Sequence, residues 1–504
     1  MSQPPMPPVP PGTPGPPHPT SPPGFGPPYT GGWQGAQPPY GSTPPNFPRP
    51  PAPPGRPGGG RKRRTAVIAG CVTAAVAVLA AGAFAFLQPD DDQRQKSKAD
   101  GKRSSPTKTA PSTQGRQLLT VPPPKEDVEG DSHRADGTWV TSRSYVSGGL
   151  FSVLGYDLDS GKQTWAVPLD GDLCGASQEV TSKGYVAVAF AGSKKDRSKC
   201  TEFAVIDINQ GRKVWQKTLP EATLGLDLSV AVTEDFAAVG WSEDSSWGFT
   251  VDTGRTVWDS PPQGCGYEEF LGGTTLTSMA LCGGDRLTVT QREPGTGEPS
   301  RTIKLPAGLG YAYLASAEPL VVASHVGDGK DSLDANRLFT FNPDGSIKST
   351  IKIDGYVPGC GSTGCHAVAA SKDTVYLASR REHLTSGNHI AAFDAGTGRR
   401  TWTVDGVGSA EMLPLRAEED GVVAYSNAGT GKRGSGVLHL AAADGEQTVL
   451  LKQPDTFEAS NATAQMSGPG MKERILYEDG RLFFHRVSGF FIGDVPMTLG
   501  FTGH

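Results

Sequence analysis

The 504-residue sequence has almost no charge bias: 47 Lys and Arg stand against 52 Asp and Glu, a net charge of −5. That balance excludes a basic surface for nucleic acid and a polyanionic tail. The sequence motifs of common catalysts are missing too: it has no nucleophile elbow, P-loop, H-E-x-x-H or dinucleotide-binding glycine fingerprint. The nine histidines are scattered. His383 and His389, six apart, read as exposed polar loop residues rather than ligands. The first 60 residues hold about half of the 44 prolines and almost no aliphatic side chains. Such a stretch cannot bury enough apolar surface to offset chain entropy, so 1–60 is expected to be a disordered Pro/Gly-rich tail.

One further absence is local. Residues 65–87 carry no charged side chain. As a helix they would rise about 34 Å, enough to cross a hydrocarbon core of about 30 Å. The basic cluster 61–64 precedes this run and Asp90-Asp91-Asp92 follows it. The expectation is a single-pass anchor in the cell membrane, with a cytoplasmic N-terminus and an extracytoplasmic C-terminal domain. Cys71 sits in a sequence that resembles a lipoprotein box. Its apolar run continues past the Cys, however, so Cys71 reads as a small apolar residue. Residues 88–116 are polar and aperiodic, as a flexible extracytoplasmic linker would be.

Six cysteines remain beyond that segment, and an even count in an oxidising compartment reads as disulfides. Sequential pairing is expected, as Cys174–Cys200, Cys265–Cys282 and Cys360–Cys365, because each bridge then stays within or beside one repeat. Cys360-Gly-Ser-Thr-Gly-Cys365-His366 looks like a widened haem-attachment sequence, but the spacing is four instead of two and its flanks read as strands. It is expected to be a disulfide.

What the chain does have is a repeat. Asp157-Gly161-Trp165, Asp207-Gly211-Trp215 and Asp394-Gly398-Trp402 share one spacing, and Gly254-Trp258 matches with Thr250 in the acidic place. Weaker copies centre on Gly297, Gly345 and Gly445, and the seven glycines lie 43 to 53 residues apart. That period is the span of a four-stranded propeller blade. Between the turns come short apolar strands such as 185–190 and 375–378, whose alternation implies one buried face. The Gly would supply the positive φ of a tight turn, and the Trp a flat wedge between sheets with one donor for a backbone carbonyl.

The segment Val205-Ile206-Asp207-Ile208-Asn209-Gln210-Gly211-Arg212-Lys213-Val214-Trp215 resembles the repeat of the PQQ-like (quinoprotein alcohol dehydrogenase-like) β-propeller family. The resemblance implies an all-β propeller over 117–504 of about eight four-stranded blades, with seven as the alternative count. The terminal strands 481–484 and 489–492 and a strand near Leu118-Leu119 would complete the last blade. Members of the family are either quinone-dependent dehydrogenases or cofactor-free binding scaffolds. The dehydrogenases use adjacent cysteines and a calcium held by Glu, Asn and Asp. No cysteines are adjacent here, and Glu268-Glu269 read as solvated loop carboxylates. Asp157-x-Asp159-x-Gly161 lacks the downstream Glu of a calcium loop. The expectation is a non-enzymatic scaffold without catalytic, metal or cofactor residues, PQQ being the cofactor weighed and not favoured. Its partner would be an envelope protein, a wall component or a small molecule. The alternatives are a PQQ-dependent oxidoreductase and a sensor that couples an outside ligand to the cytoplasmic tail.

Overall fold

The computed structural model describes residues 113–123, 133–195, 198–219, 228–241, 245–259, 265–283, 286–327, 334–361, 364–383, 386–408, 410–429, 434–456, 459, 473–489 and 495–503. The expected tail, basic cluster and membrane helix lie outside these residues. Among the described residues, no helix is long and apolar enough to cross a membrane.

Eight four-stranded antiparallel sheets follow one another along the chain. Blades 1 to 7 span 138–168, 173–218, 229–258, 265–304, 309–352, 368–405 and 411–452, each a simple meander. Blade 8 takes its first three strands, Glu473–Glu478, Arg481–Arg486 and Thr498–Thr502, from the C-terminal end. Its fourth strand is Arg116–Val121, from the other end of the domain, paired so that Arg116 faces Thr502 and Val121 faces Thr498. The strand near Leu118-Leu119 thus closes the last blade as expected. Of the expected strand 489–492, residues 490–492 lie outside the described residues. Ser488–Gly489 pairs with His133–Arg134 in a separate two-stranded ribbon that ties blade 8 to the approach to blade 1. The folded part also begins earlier than residue 117: Thr113 and Gly115 already bond to Lys452 of blade 7.

The buried apolar side chains fall into eight clusters, and each cluster joins two neighbouring blades. One of them packs Leu119 and Phe483 of blade 8 against Tyr145 and Tyr156 of blade 1, so the sheets close into a ring. Eight interfaces settle the count at eight blades. They also correct the expectation of one buried face per strand. Val186 to Phe190 are all 0 % exposed, because a second strand is covered by a neighbouring blade on each side of its sheet.

The repeat turn explains this docking. All seven turn glycines have positive φ, between 65° and 89°. In the three acidic copies the Asp Oδ1 accepts from the turn: Ser160 N at 2.8 Å on Asp157, Gln210 N at 3.0 Å on Asp207 and Thr397 N at 2.7 Å on Asp394. At Thr250 the hydroxyl does this work, accepting from Arg255 N at 3.1 Å. Trp165, Trp215 and Trp402 then lie over the turn of the next blade. A Cβ on Gly211 would come within 2.4 Å of Trp165, and one on Gly254 within 2.8 Å of Trp215. Trp215 Nε1 donates to Val251 O (2.7 Å) and Trp402 Nε1 to Ala442 O (2.9 Å), both across a blade interface. Gly and Trp recur together because one blade's turn must leave room for the previous blade's indole. The Thr250 copy departs here: Trp258 Nε1 is buried without an acceptor, and the Arg292 guanidinium stacks 4.1 Å from the ring centroid.

Candidate functional site

An up-and-down meander sorts its loops onto two faces. Inner strands begin on one, which also carries the blade-to-blade connections and the loops between second and third strands. The opposite face carries the hairpins, including every Asp–Gly turn. The repeat residues Asp157, Gly161, Trp165, Asp207, Gly211, Trp215, Gly254, Trp258, Asp394, Gly398 and Trp402 therefore belong to the hairpin side and to the blade interfaces.

The first face holds a cavity of about 700 Å³ over the ring centre, within the size range of ligand pockets. Its lining comes from the approach to blade 1, from blades 2, 6, 7 and 8, and from the connection before blade 6. Arg134 grips Asp136 through two hydrogen bonds, 2.7 and 2.9 Å. Arg381 Nη1 donates to Glu411 Oε2 at 3.0 Å. Asn388 is a strut between blades 6 and 7, donating to Ser379 O and Met412 O and accepting from Met412 N at 2.6 Å. The Tyr425 hydroxyl donates to Gln453 Oε1 at 3.0 Å, and burial pushes its phenol well above the usual range.

All three expected disulfides form: Cys174–Cys200, Cys265–Cys282 and Cys360–Cys365. Cys174, Cys200, Cys265 and Cys282 lie at strand ends on the cavity face, and Cys360 and Cys365 in the connection before blade 6. The third does something its sequence did not reveal. Cys360–Gly361 and Gly364–Cys365 form a two-stranded hairpin just before blade 6. A Cβ on Gly364 would stand 3.4 Å from Gln178 Nε2 of blade 2, 3.5 Å from Leu314 O of blade 5 and 3.6 Å from a methyl of Leu271 in blade 4. The hairpin thus reaches across the ring centre. Gln178, Cys360 and Gly361 line the cavity above it, while Gln178, Gly364 and Cys365 line a second cavity of about 420 Å³ on the hairpin side. Hairpin and glutamine together form a septum across the central channel. In the second cavity Glu179 Oε1 accepts from Gly272 N at 3.2 Å, and Glu318 Oε1 accepts from Thr275 N at 2.9 Å.

Glu268 and Glu269 are not solvated loop residues. Both lie on the inner strand Cys265–Leu271, 1 % and 0 % exposed. Glu268 Oε2 accepts from Ser246 Oγ of blade 3 at 2.7 Å and faces Arg292 at 3.5 Å. Glu269 Oε2 accepts from Leu314 N of blade 5 at 3.1 Å, and its Oε1 has no hydrogen-bond partner. Desolvation raises the Glu269 carboxyl well above the usual range, and the Leu314 N–H opposes this only in part. Burial likewise lowers Arg292, with Glu268 opposing. These acids pin neighbouring blades and do not line either cavity.

His383 is exposed as expected, but His389 starts a strand, half-buried, with Nε2 3.3 Å from Tyr356 Oη. Glu418, Asp420 and His439 converge on the hairpin side of blade 7, where Glu418 is tied to Arg416 at 2.9 Å.

Residues 110–298 match the family described as "Outer membrane protein assembly factor BamB", in keeping with the resemblance to PQQ-like propeller repeats. No curated protein matches the chain. Among solved structures, BamB from Moraxella catarrhalis is 13 % identical with a TM-score of 0.42, covering 74 % of this chain and 96 % of that one. Quinohemoprotein alcohol dehydrogenase ADHIIG from Pseudomonas putida HK5 is 12 % identical (TM-score 0.42; 77 % and 78 % covered). Sqt1 of Saccharomyces cerevisiae is 14 % identical (TM-score 0.42; 78 % and 98 % covered).

Proposed function

We propose that this chain, an eight-bladed β-propeller of the PQQ-like repeat family, is a non-enzymatic scaffold of the cell envelope that takes its partner at the cavity face. The asymmetry between its two faces carries the reading. Of the seven exposed large apolar side chains among the described residues, four lie on the cavity face, Leu281, Tyr311 (54 %), Val326 and Val407 (76 %), the three most exposed among them. Leu281, Tyr311 and Val326 belong to blades 4 and 5 and Val407 to the connection between blades 6 and 7, on the face where the cavity opens. Apolar side chains left in water beside a preformed cavity are what a binding surface leaves exposed. The matched family is described as an outer membrane protein assembly factor, and a role in holding envelope proteins is consistent with that description.

A quinone cofactor with bound calcium does not suit this mouth. Among the described residues its two acids, Asp136 and Glu411, are held by Arg134 and Arg381, and they offer no free carboxylate set for a cation. The three bridges join cysteines 26, 17 and 5 residues apart, and none is the adjacent pair on which the family's dehydrogenases stack their quinone.

The membrane anchor at 65–87 belongs to the same proposal. Residues 113–115 meet the ring at blade 7, beside the unjoined strand ends Thr502 and Arg116 on the hairpin side of blade 8. A photo-crosslinking residue placed at Tyr311 or Val407 in native cells is expected to capture a discrete protein. The same residue at Ile347 or Val449, exposed away from the mouth, should not. Equal capture from all four positions would refute the assignment of the face.

A further inference from the structure

The chemistry of the mouth cavity narrows what it can hold. Most of its wall is apolar, including Ala176, Ala367, Met412, Leu413, Ile475 and Val487. Three arginines line it, and two are matched by carboxylates of the same lining, Arg134 by Asp136 and Arg381 by Glu411. The third is Arg380. The one carboxylate within reach of it among the described residues is Asp334, 4.0 Å away, with the two side chains 64 % and 85 % exposed. An exposed pair at that distance contributes next to nothing, so Arg380 is in effect an uncompensated cation at the edge of an apolar chamber.

We propose that this cavity binds an apolar molecule bearing a single carboxylate, with the carboxylate on the Arg380 guanidinium and the apolar body against the wall. A planar guanidinium matches a carboxylate through two parallel hydrogen bonds. A polyanion such as a nucleotide would bring several charges to one unmatched cation and set the others beside Asp136 and Glu411. A cation would meet Arg380 itself. A neutral apolar molecule would fill the chamber and leave the guanidinium unused. The chemistry has two sources, the C-terminus of an apolar peptide and a free alkyl carboxylic acid. The inference rests on the proposal that the mouth is the binding face.

Calorimetric titration of the full-length chain tests it with two matched pairs of probes. One pair is N-acetyl-Leu-Leu-Leu as the free acid and as the amide; the other is octanoate and octanol. The acid is expected to bind about tenfold more tightly than its neutral counterpart in at least one pair, the size of one partly exposed charge-assisted bond. The pair that shows the preference names the source. Arg380→Gln should abolish the preference while leaving weaker binding of the neutral probe, and Arg380→Lys should retain part of it. An unchanged melting curve shows that each variant is folded. Equal affinity for acid and neutral probes, no saturable binding in either pair, or a preference that survives Arg380→Gln overturns the inference. Preference for the acid together with failed crosslinking at Tyr311 and Val407 would keep the ligand site and remove the protein-docking role.

Discussion

Substituting Gly211 with Ala tests whether the Gly–Trp repeat is a docking device or only a turn. Gly211 has φ of +65°, and an added Cβ would lie 2.4 and 2.5 Å from two ring atoms of Trp165. The left-handed backbone costs an Ala roughly 1–2 kcal/mol, less about 0.4–1 regained from the unfolded chain, a net of about 1 kcal/mol. Forcing a methyl into the indole adds about 1–3 kcal/mol, since the ring must move against a packed interface. Gly295 supplies the control: its φ is +80°, and nothing lies within 4 Å of its Cβ position. Gly295→Ala should therefore cost about 1 kcal/mol, and Gly211→Ala about 2–4. Removing the ring with Trp165→Leu should bring the Gly211→Ala increment back to about 1 kcal/mol. Urea denaturation of the four proteins measures this through midpoints at unchanged slope. If Gly211→Ala and Gly295→Ala cost the same, or if the increment is unaffected by Trp165→Leu, the glycine is not there to seat the tryptophan.

Three further outcomes are expected. Trp215→Phe should cost about 1 kcal/mol more than Trp258→Phe in urea, because the first loses a bond to Val251 O and the second removes an N–H that had no acceptor. Glu269→Gln should match wild type at low pH and exceed it as pH rises. The raised carboxyl favours the folded state fully below its ordinary value of about 4.3 and loses that contribution as pH climbs through its folded value. The sign is opposite for Asp394, whose carboxyl is lowered by hydrogen bonds from the Thr397 side chain and backbone. Its contribution is present above its ordinary value and lost as pH falls through the lowered one, so Asp394→Asn should flatten the acid limb of a stability–pH curve.

The architecture was legible because its turn glycine is written seven times over, four times with a Trp four residues on, and such a spacing does not recur at blade length unless the copies do the same work. Blade 8 was harder to read for a physical reason. Its third and fourth strands come from opposite ends of the domain, so it has no Asp–Gly turn, and Glu473–Glu478 and Thr498–Thr502 passed unmarked. The disulfide partners were readable from order alone. The reach of Cys360–Cys365 to Gln178 was not, since nothing in a local sequence tells which blade stands across the ring. Glu268 and Glu269 misled in the same way. Adjacent acids look solvent-facing until Ser246, Arg292 and Leu314, contributed by three different blades, are brought around them. The mouth cavity was invisible for that reason too: Arg380 acquires meaning only once Arg134 and Arg381 are seen to be already matched.

The clasp of blade 8 also determines how the molecule bears load. Whatever pulls on Thr113 from the N-terminal side pulls first on the bonds of Thr113 and Gly115 to Lys452 and then along Arg116–Val121, whose ladder to Thr498–Thr502 resists as a row loaded together. The strand that seals the circle is thus also the one to which force is delivered, and traction on it shears the very joint whose failure would uncoil the wheel.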